Sequence, residues 1–188
     1  MEIPISLQLF RTLVEIYAVI AVLRALLQYT DADFHNPVSQ IIDRLTRVPI
    51  RMLRLFVPRI SGADIGSPFV LAFIVTAVER YLFVTLQGVN GNITALLILT
   101  PARLLDYAIT IFIAAILIRV VMSWVARRST PLTRLILTFT EPIMRPARRV
   151  IPTLGGLDFS PILVLIFLNL VDSFGVRFLE TLGYQMLG

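Results

Sequence analysis

The chain has no cysteine and no lysine, and its 188 residues include one histidine and one tryptophan. Without thiols there is no disulfide, no thiolate metal site and no haem attachment through the chain's own sulfur. Charge is scarce too: 15% of residues are charged against 57% hydrophobic, and mean hydropathy is +0.85. A soluble domain of this length has too little interior to bury that much apolar surface. His35 stands near Asp31 and Asp33 in a spacing that matches no recognised ligand set, so no metal is expected there. Also missing are a nucleophile–base arrangement, a P-loop, an HExxH helix and a dinucleotide fingerprint. A non-enzymatic protein without a cofactor is expected.

What the chain does have is long apolar runs. Crossing about 30 Å of hydrocarbon at 1.5 Å per residue takes roughly 20 of them. Spans are expected at about Ile5–Tyr29, at about Pro68–Leu86, within about Thr94–Trp124 and at about Pro161–Leu182. The third run is longer than a bilayer needs, and Pro101 is expected at its first turn or at a kink. Glu2 stands where a signal peptide has basic residues, and no small-residue cleavage site follows, so the first run is expected to remain as a span.

The net charge is +5, and every cation is arginine. Arg44, Arg47, Arg51, Arg54 and Arg59 follow the first run; Arg127, Arg128, Arg134, Arg145, Arg148 and Arg149 follow the third. The connection Gln87–Ile93 has none. Short cationic loops stay in the cytoplasm, so both long loops are expected inside and both termini outside. Tyr29 and Trp124 would close their spans at the headgroup level. The arginines lack interleaved stacking aromatics and flank lipid, which favours anionic headgroups over nucleic acid.

The two halves, 1–90 and 91–188, align with an offset of about 94 residues. Arg24 through Tyr29 faces Arg119 through Trp124; Asn36-Pro37 faces Thr130-Pro131; Pro49-Ile50 faces Pro142-Ile143; Ser67-Pro68 faces Ser160-Pro161; Glu79 faces Asp172. With an even number of spans per unit, both copies share one orientation, a parallel repeat. The expected fold is therefore all-α: four transmembrane helices in two tandem repeats, each with an amphipathic basic segment (30–67 and 125–160) between its spans.

Within those segments Asn36 and Thr130 are N-cap types, each followed by a proline suited to the first helical position. Val38, Ile41, Ile42 and Leu45 recur at helical spacing, as do Leu132, Leu135, Ile136 and Phe139. Pro49 and Pro142 are expected to break these helices. The apolar faces would lie in the lipid boundary or pack on the spans, and both arrangements remain open. Gly155 and Gly156 permit a turn, and Asp158, Ser160 and Pro161 form a helix-entry motif for the last span.

Two strings, Asp33-Phe34-His35-Asn36-Pro37-Val38-Ser39-Gln40 and Pro142 through Pro152 continued by Gly155-Gly156-Leu157-Asp158-Phe159-Ser160-Pro161, resemble those of the YggT family. Its members are bacterial inner-membrane proteins with plastid relatives. The resemblance covers nearly the whole chain and implies an inner-membrane location, so the termini that the arginines place outside are expected in the periplasm. It also implies links to osmotic stress or potassium, to cell division and, in plastids, to cytochrome assembly. It supplies no catalytic motif. Pro146 has no counterpart in the first copy, and Ala63 stands where the second has Leu157, so the two loops are not expected to bind a ligand equally.

The ionisable residues inside the spans are the candidate site. Glu79 and Asp172 lie about 16 Å past the prolines that begin their helices, near the midplane. A charge there costs at least about 2.5–3.5 kcal/mol, so partners or functions are expected. Arg24 and Arg119 are expected to neutralise these carboxylates; Glu15 and Asn169 complete the network. One reading makes the network structural. The other makes the carboxylates a path for a cation or proton, which would require an oligomer because four helices are few for a permeation path. In the first reading, Arg44, Arg47, Arg51, Arg54, Arg145, Arg148 and Arg149 engage anionic lipid or an unidentified membrane or cytosolic protein.

Overall fold

The computed structural model describes residues 4–57, 66–88, 92–125, 130–151 and 158–187, and every regular element among them is helical. In chain order these are α1 (Ile5–Tyr29), α2 (Pro37–Leu53), α3 (Gly66–Leu86), α4 (Ile93–Val125), α5 (Pro131–Val150) and α6 (Ser160–Gln185). Among the described residues, three helices are long and apolar enough to cross a membrane: α3, α4 over Ile93–Trp124, and α6. α1, with Arg11, Glu15 and Arg24, is not among those three.

α4 is the centre of the assembly and packs against α1, α3, α5 and α6. α1 lies closely along α3, and α2 packs on both; α5 packs on α4 and α6. The α1 face that turns inward is built from small residues, Ala18, Ala21 and Ala25, with Val22 between them, all essentially inaccessible. Side chains that short let helix backbones approach, which maximises dispersion contacts where lipid and core are equally apolar. On α4, Phe112 stacks on Phe139 of α5 at 4.9 Å between ring centroids. A smaller cluster, Val84, Ala95 and Leu99, closes the other end. There Gly183 of α6 sits against Leu99: a β-carbon added to it would stand 2.6 Å from the leucine's Cγ. Outward-facing positions carry large apolar side chains such as Ile74, Val121, Ile166 and Phe174, a surface suited to hydrocarbon.

Asn36 caps α2 by accepting the Val38 N–H at 3.0 Å, and Thr130 caps α5 by accepting the Thr133 N–H at 3.1 Å. The prolines depart from expectation. α2 continues through Pro49 to Leu53, and α5 continues through Pro142 and Pro146 to Val150. Each interior proline removes a hydrogen bond and costs about 3 kcal/mol. What holds the following turn is burial: Ile50 is 2% exposed and Met144 is fully enclosed. Pro101 likewise lies well inside α4 rather than in its first turn. In α6, residues Val171–Val176 form a π-helical segment between α-helical Ser160–Leu170 and Arg177–Gln185. Periodicity gives no sign of it.

α2 carries two adjacent stripes. Ser39, Ile42, Thr46 and Ile50 are buried against the protein, whereas Val38, Ile41, Leu45, Val48 and Met52 are exposed. α5 is seated deeper, with Leu135, Phe139, Thr140, Met144 and Ala147 buried.

Candidate functional site

Charged side chains gather at both ends of the helical assembly. The first cluster forms where α1 and α4 begin and α3 and α6 end. Arg103 of α4 is its hub: Nη2 donates to Glu15 Oε1 of α1 at 2.8 Å, and Nη1 donates to Asp106 Oδ2 at 2.7 Å. Its Nε lies 3.9 Å from Oε2 of Glu79 on α3, and its guanidinium lies 4.5 Å from the Tyr107 ring centroid. Glu79 is wholly buried, and neither of its oxygens accepts a hydrogen bond among the described residues. Next to it, Arg80 donates to Tyr184 Oη of α6 at 2.7 Å and stands 3.8 Å from Glu180. Arg11 and Arg80 both lie over the Phe83 ring, at 4.3 and 4.9 Å. Charges this deep persist because each is matched or stacked: an isolated one in low dielectric costs several kcal/mol.

The second cluster lies at the opposite end, with α2 and α5. Arg24 of α1 is nearly enclosed; it donates to Gln28 at 2.8 Å, lies 3.5 Å from Asp43 of α2 and rests over the Phe34 ring at 4.4 Å. Asp43 also accepts from Arg47 at 2.6 Å. In the second half, Arg119 donates to Thr140 Oγ1 at 2.6 Å and lies 3.6 Å from Glu141. Arg148 spans from Glu141 at 3.3 Å to Asp158 at 3.2 Å. Burial pulls the Asp158 carboxyl upward, but hydrogen bonds from Ser160 and Arg148 outweigh it and hold it below the usual carboxylate range. The Ser160 N–H reaches Asp158 at 3.0 Å, so the aspartate sits at the entrance of α6, and Ser160 and Pro161 are buried. At the start of α2, the backbone N–H and ring of His35 hold Asp33 low as well.

The pairing differs from the one expected. Arg24 and Arg119 do not reach Glu79 and Asp172. Arg103 joins Glu15 to Glu79, so those two carboxylates share a level, and Arg24 lies about 14 Å further along α1. That exceeds what a guanidinium stem spans. Asp172 is half-buried in the π-helical segment, with no ion pair among the described residues. Asn169 is exposed and donates to the Leu165 carbonyl at 2.8 Å. Arg44, Arg51, Arg54, Arg145 and Arg149 are exposed on α2, just beyond it and on α5. Gly155 and Gly156, like Arg59, Arg127 and Arg128, lie outside the described residues. Sequence reasoning passed over Arg103, the residue that organises the first cluster. Its signal was Asp106 three positions on, a ready-made counter-charge within the longest apolar run.

A family model described as CCB3/YggT matches residues 3–86 and 98–179 of this chain. The chain belongs to the CCB3/YggT family. It is 36% identical over 170 residues to an uncharacterized protein of Pseudomonas aeruginosa, covering 89% of this chain and 86% of that one. It is 29% identical over 182 residues to the uncharacterized protein YggT of Escherichia coli, covering 95% and 93% respectively. An uncharacterized protein of Vibrio alginolyticus is 33% identical over 167 residues, covering 87% of this chain and 89% of its own. No solved structure matches. In this CCB3/YggT protein the buried charges gather in two clusters, around Arg103 and around Arg24 and Arg119.

Proposed function

We propose that the protein is a non-enzymatic membrane scaffold or assembly factor that engages anionic lipid, and through it or beside it a membrane or cytosolic protein. In this reading α1, α3, α4 and α6 are four spans in two tandem parallel repeats, residues 1–90 and 91–188. Both termini are periplasmic, and α2 and α5 lie along the cytoplasmic face of the inner membrane. Supporting the repeat, Thr46 and Thr140 occupy matching buried positions and bond back to their own helix carbonyls at 2.8 and 2.7 Å.

The observation that carries the reading is the exposed apolar stripe of α2 beside exposed arginines. Val38, Ile41, Leu45, Val48 and Met52 are each 41% exposed or more, and Arg44, Arg47, Arg51 and Arg54 flank them. In water such a stripe would be unfavourable; at the acyl boundary it is buried while the guanidiniums meet phosphates. The buried stripe next to it fixes the helix to the spans. α5 presents Arg145 and Arg149 outward, with Arg148 drawn back to Glu141 and Asp158. R145Q/R149Q is expected to disturb localisation and cellular function more than E79Q, read by imaging and complementation of a deletion strain. The reverse ranking sinks the scaffold reading.

Glu79 supports a second reading, in which an oligomer moves a cation or proton. A fully enclosed carboxylate whose nearest guanidinium nitrogen is 3.9 Å away is a group that a mobile cation could serve. Proteoliposomes under potassium or proton gradients test it: flux in wild type that disappears in E79Q establishes transport. Folded, inserted protein without flux above empty liposomes eliminates it.

A further inference from the structure

Between α1 and α2 lies a hollow of about 330 Å³, lined by Arg24, Asp43, Arg47, Ile50, Arg51 and Arg54. Its size sits at the lower end of small-molecule sites, about 300–1,000 Å³. Arg47, Arg51 and Arg54 follow one another at i, i+4 and i+7, so one stripe of the chain presents all three, and Arg24 enters from the facing helix. Among the described residues, the lining sets four guanidiniums against one carboxylate. Asp43 accepts from Arg47 at 2.6 Å and lies 3.5 Å from Arg24, which fixes two of the forks. The Arg24 side chain is 5% exposed, so water screens its charge little.

We infer that this hollow is a binding site for a phosphate oxyanion, and that its natural ligand is a phospholipid headgroup. Guanidinium forks match phosphate oxygens two at a time, and a site pre-set by Asp43 loses less entropy on binding than free surface arginines do. The inference rests on the lipid-facing placement of α2 proposed above, since the exposed stripe Val38–Ile41–Leu45–Val48–Met52 sets the hollow at headgroup depth. In the second half Arg119 and Arg148 meet Glu141 and Asp158, and the hollow of about 420 Å³ beside α5 has Arg145 and Glu141 in its lining.

The test uses the full chain in detergent, with native mass spectrometry reading retention of added phosphatidylglycerol against phosphatidylcholine. R47Q/R51Q/R54Q is expected to lose about tenfold or more in phosphatidylglycerol retention, while R44Q, outside the lining, stays within about twofold. R51K/R54K, which keeps charge without the fork, falls between them. All three altered arginines of the triple variant are exposed, and an unchanged melting temperature checks that it folds. Unaltered retention in the triple variant overturns the site. If R145Q/R149Q then lowers retention, α5 carries the lipid and the scaffold reading stands without the hollow; if neither variant does, both fall. A second arm adds inorganic phosphate to lipid-free protein. A melting shift lost in R47Q/R51Q/R54Q, without selective phosphatidylglycerol retention, keeps the oxyanion site and assigns it to a soluble phosphate.

Discussion

Arg103 of α4 and Glu15 of α1 form an ion pair at 2.8 Å, and the same guanidinium faces Glu79 of α3. One side chain therefore ties three helices at one level. R103Q leaves Glu79 enclosed with its nearest counter-charge gone, and is expected to cost about 3–5 kcal/mol. E15Q should cost far less, about 1 kcal/mol, because Glu15 is 32% exposed. Denaturant unfolding in detergent distinguishes them, and equal losses would contradict the hub role.

Asn36 is buried as it caps α2, so the Val38 N–H it serves has little access to water. N36A is expected to destabilise by about 1 kcal/mol and to speed amide exchange at Val38. T130A should cost about 0.5–1 kcal/mol, since the start of α5 is exposed and water replaces part of the cap. Hydrogen exchange by mass spectrometry, peptide by peptide, reads both.

Gly183 and Leu99 share a seam between α6 and α4. G183A drives a β-carbon into an enclosed leucine, so the helices must separate or Leu99 must leave its rotamer, at about 1–3 kcal/mol. L99A costs more on its own by opening a cavity. In the double variant the new methyl occupies vacated space, and the loss should fall short of the sum of the singles. Additive losses would mean that the two residues do not compete for space.

Asp158 titrates lower in the folded chain than its usual 3.8. In the interval between the two values the unfolded state holds more protons, so stability rises with pH there. The contribution is complete above the unfolded value and fades as pH falls through the folded one, roughly from pH 5 downward. D158N should flatten that part of the acid limb in thermal unfolding, with little change in the limb's shape above about pH 6. An unchanged acid limb would show that Ser160 and Arg148 do not hold the carboxylate.

Local chemistry made several elements readable in advance. α1 was readable because its apolar run, Ile5–Tyr29, is contiguous; in the structure the chain turns away just beyond it, where Asp31 has a positive φ. Asn36-Pro37 and Thr130-Pro131 announced two helix starts, since cap and first turn are contiguous in the chain. The prolines at 49 and 142 misled for the converse reason. Their penalty is local and visible, whereas the burial of Ile50 and Met144 that offsets it belongs to neighbouring helices. α2 also resolved a question that periodicity left open: its apolar residues divide into a stripe held by the protein and a stripe left outside.

By itself, then, the sequence determined an all-helical, strongly apolar protein, where most helices start and stop, and its family. These follow from contiguous residues: run length, caps and composition. Only the tertiary structure decided which charges meet. Glu79 faces Arg103 rather than Arg24, Arg24 faces Asp43, and Asp172, on a π-helical turn, has no ion pair among the described residues. Those partners depend on the axial level and rotation of helices packed side by side, which are set by Ala18, Ala21, Ala25, Gly183 and their neighbours acting together. A side chain of fixed reach finds whatever that packing brings to its level.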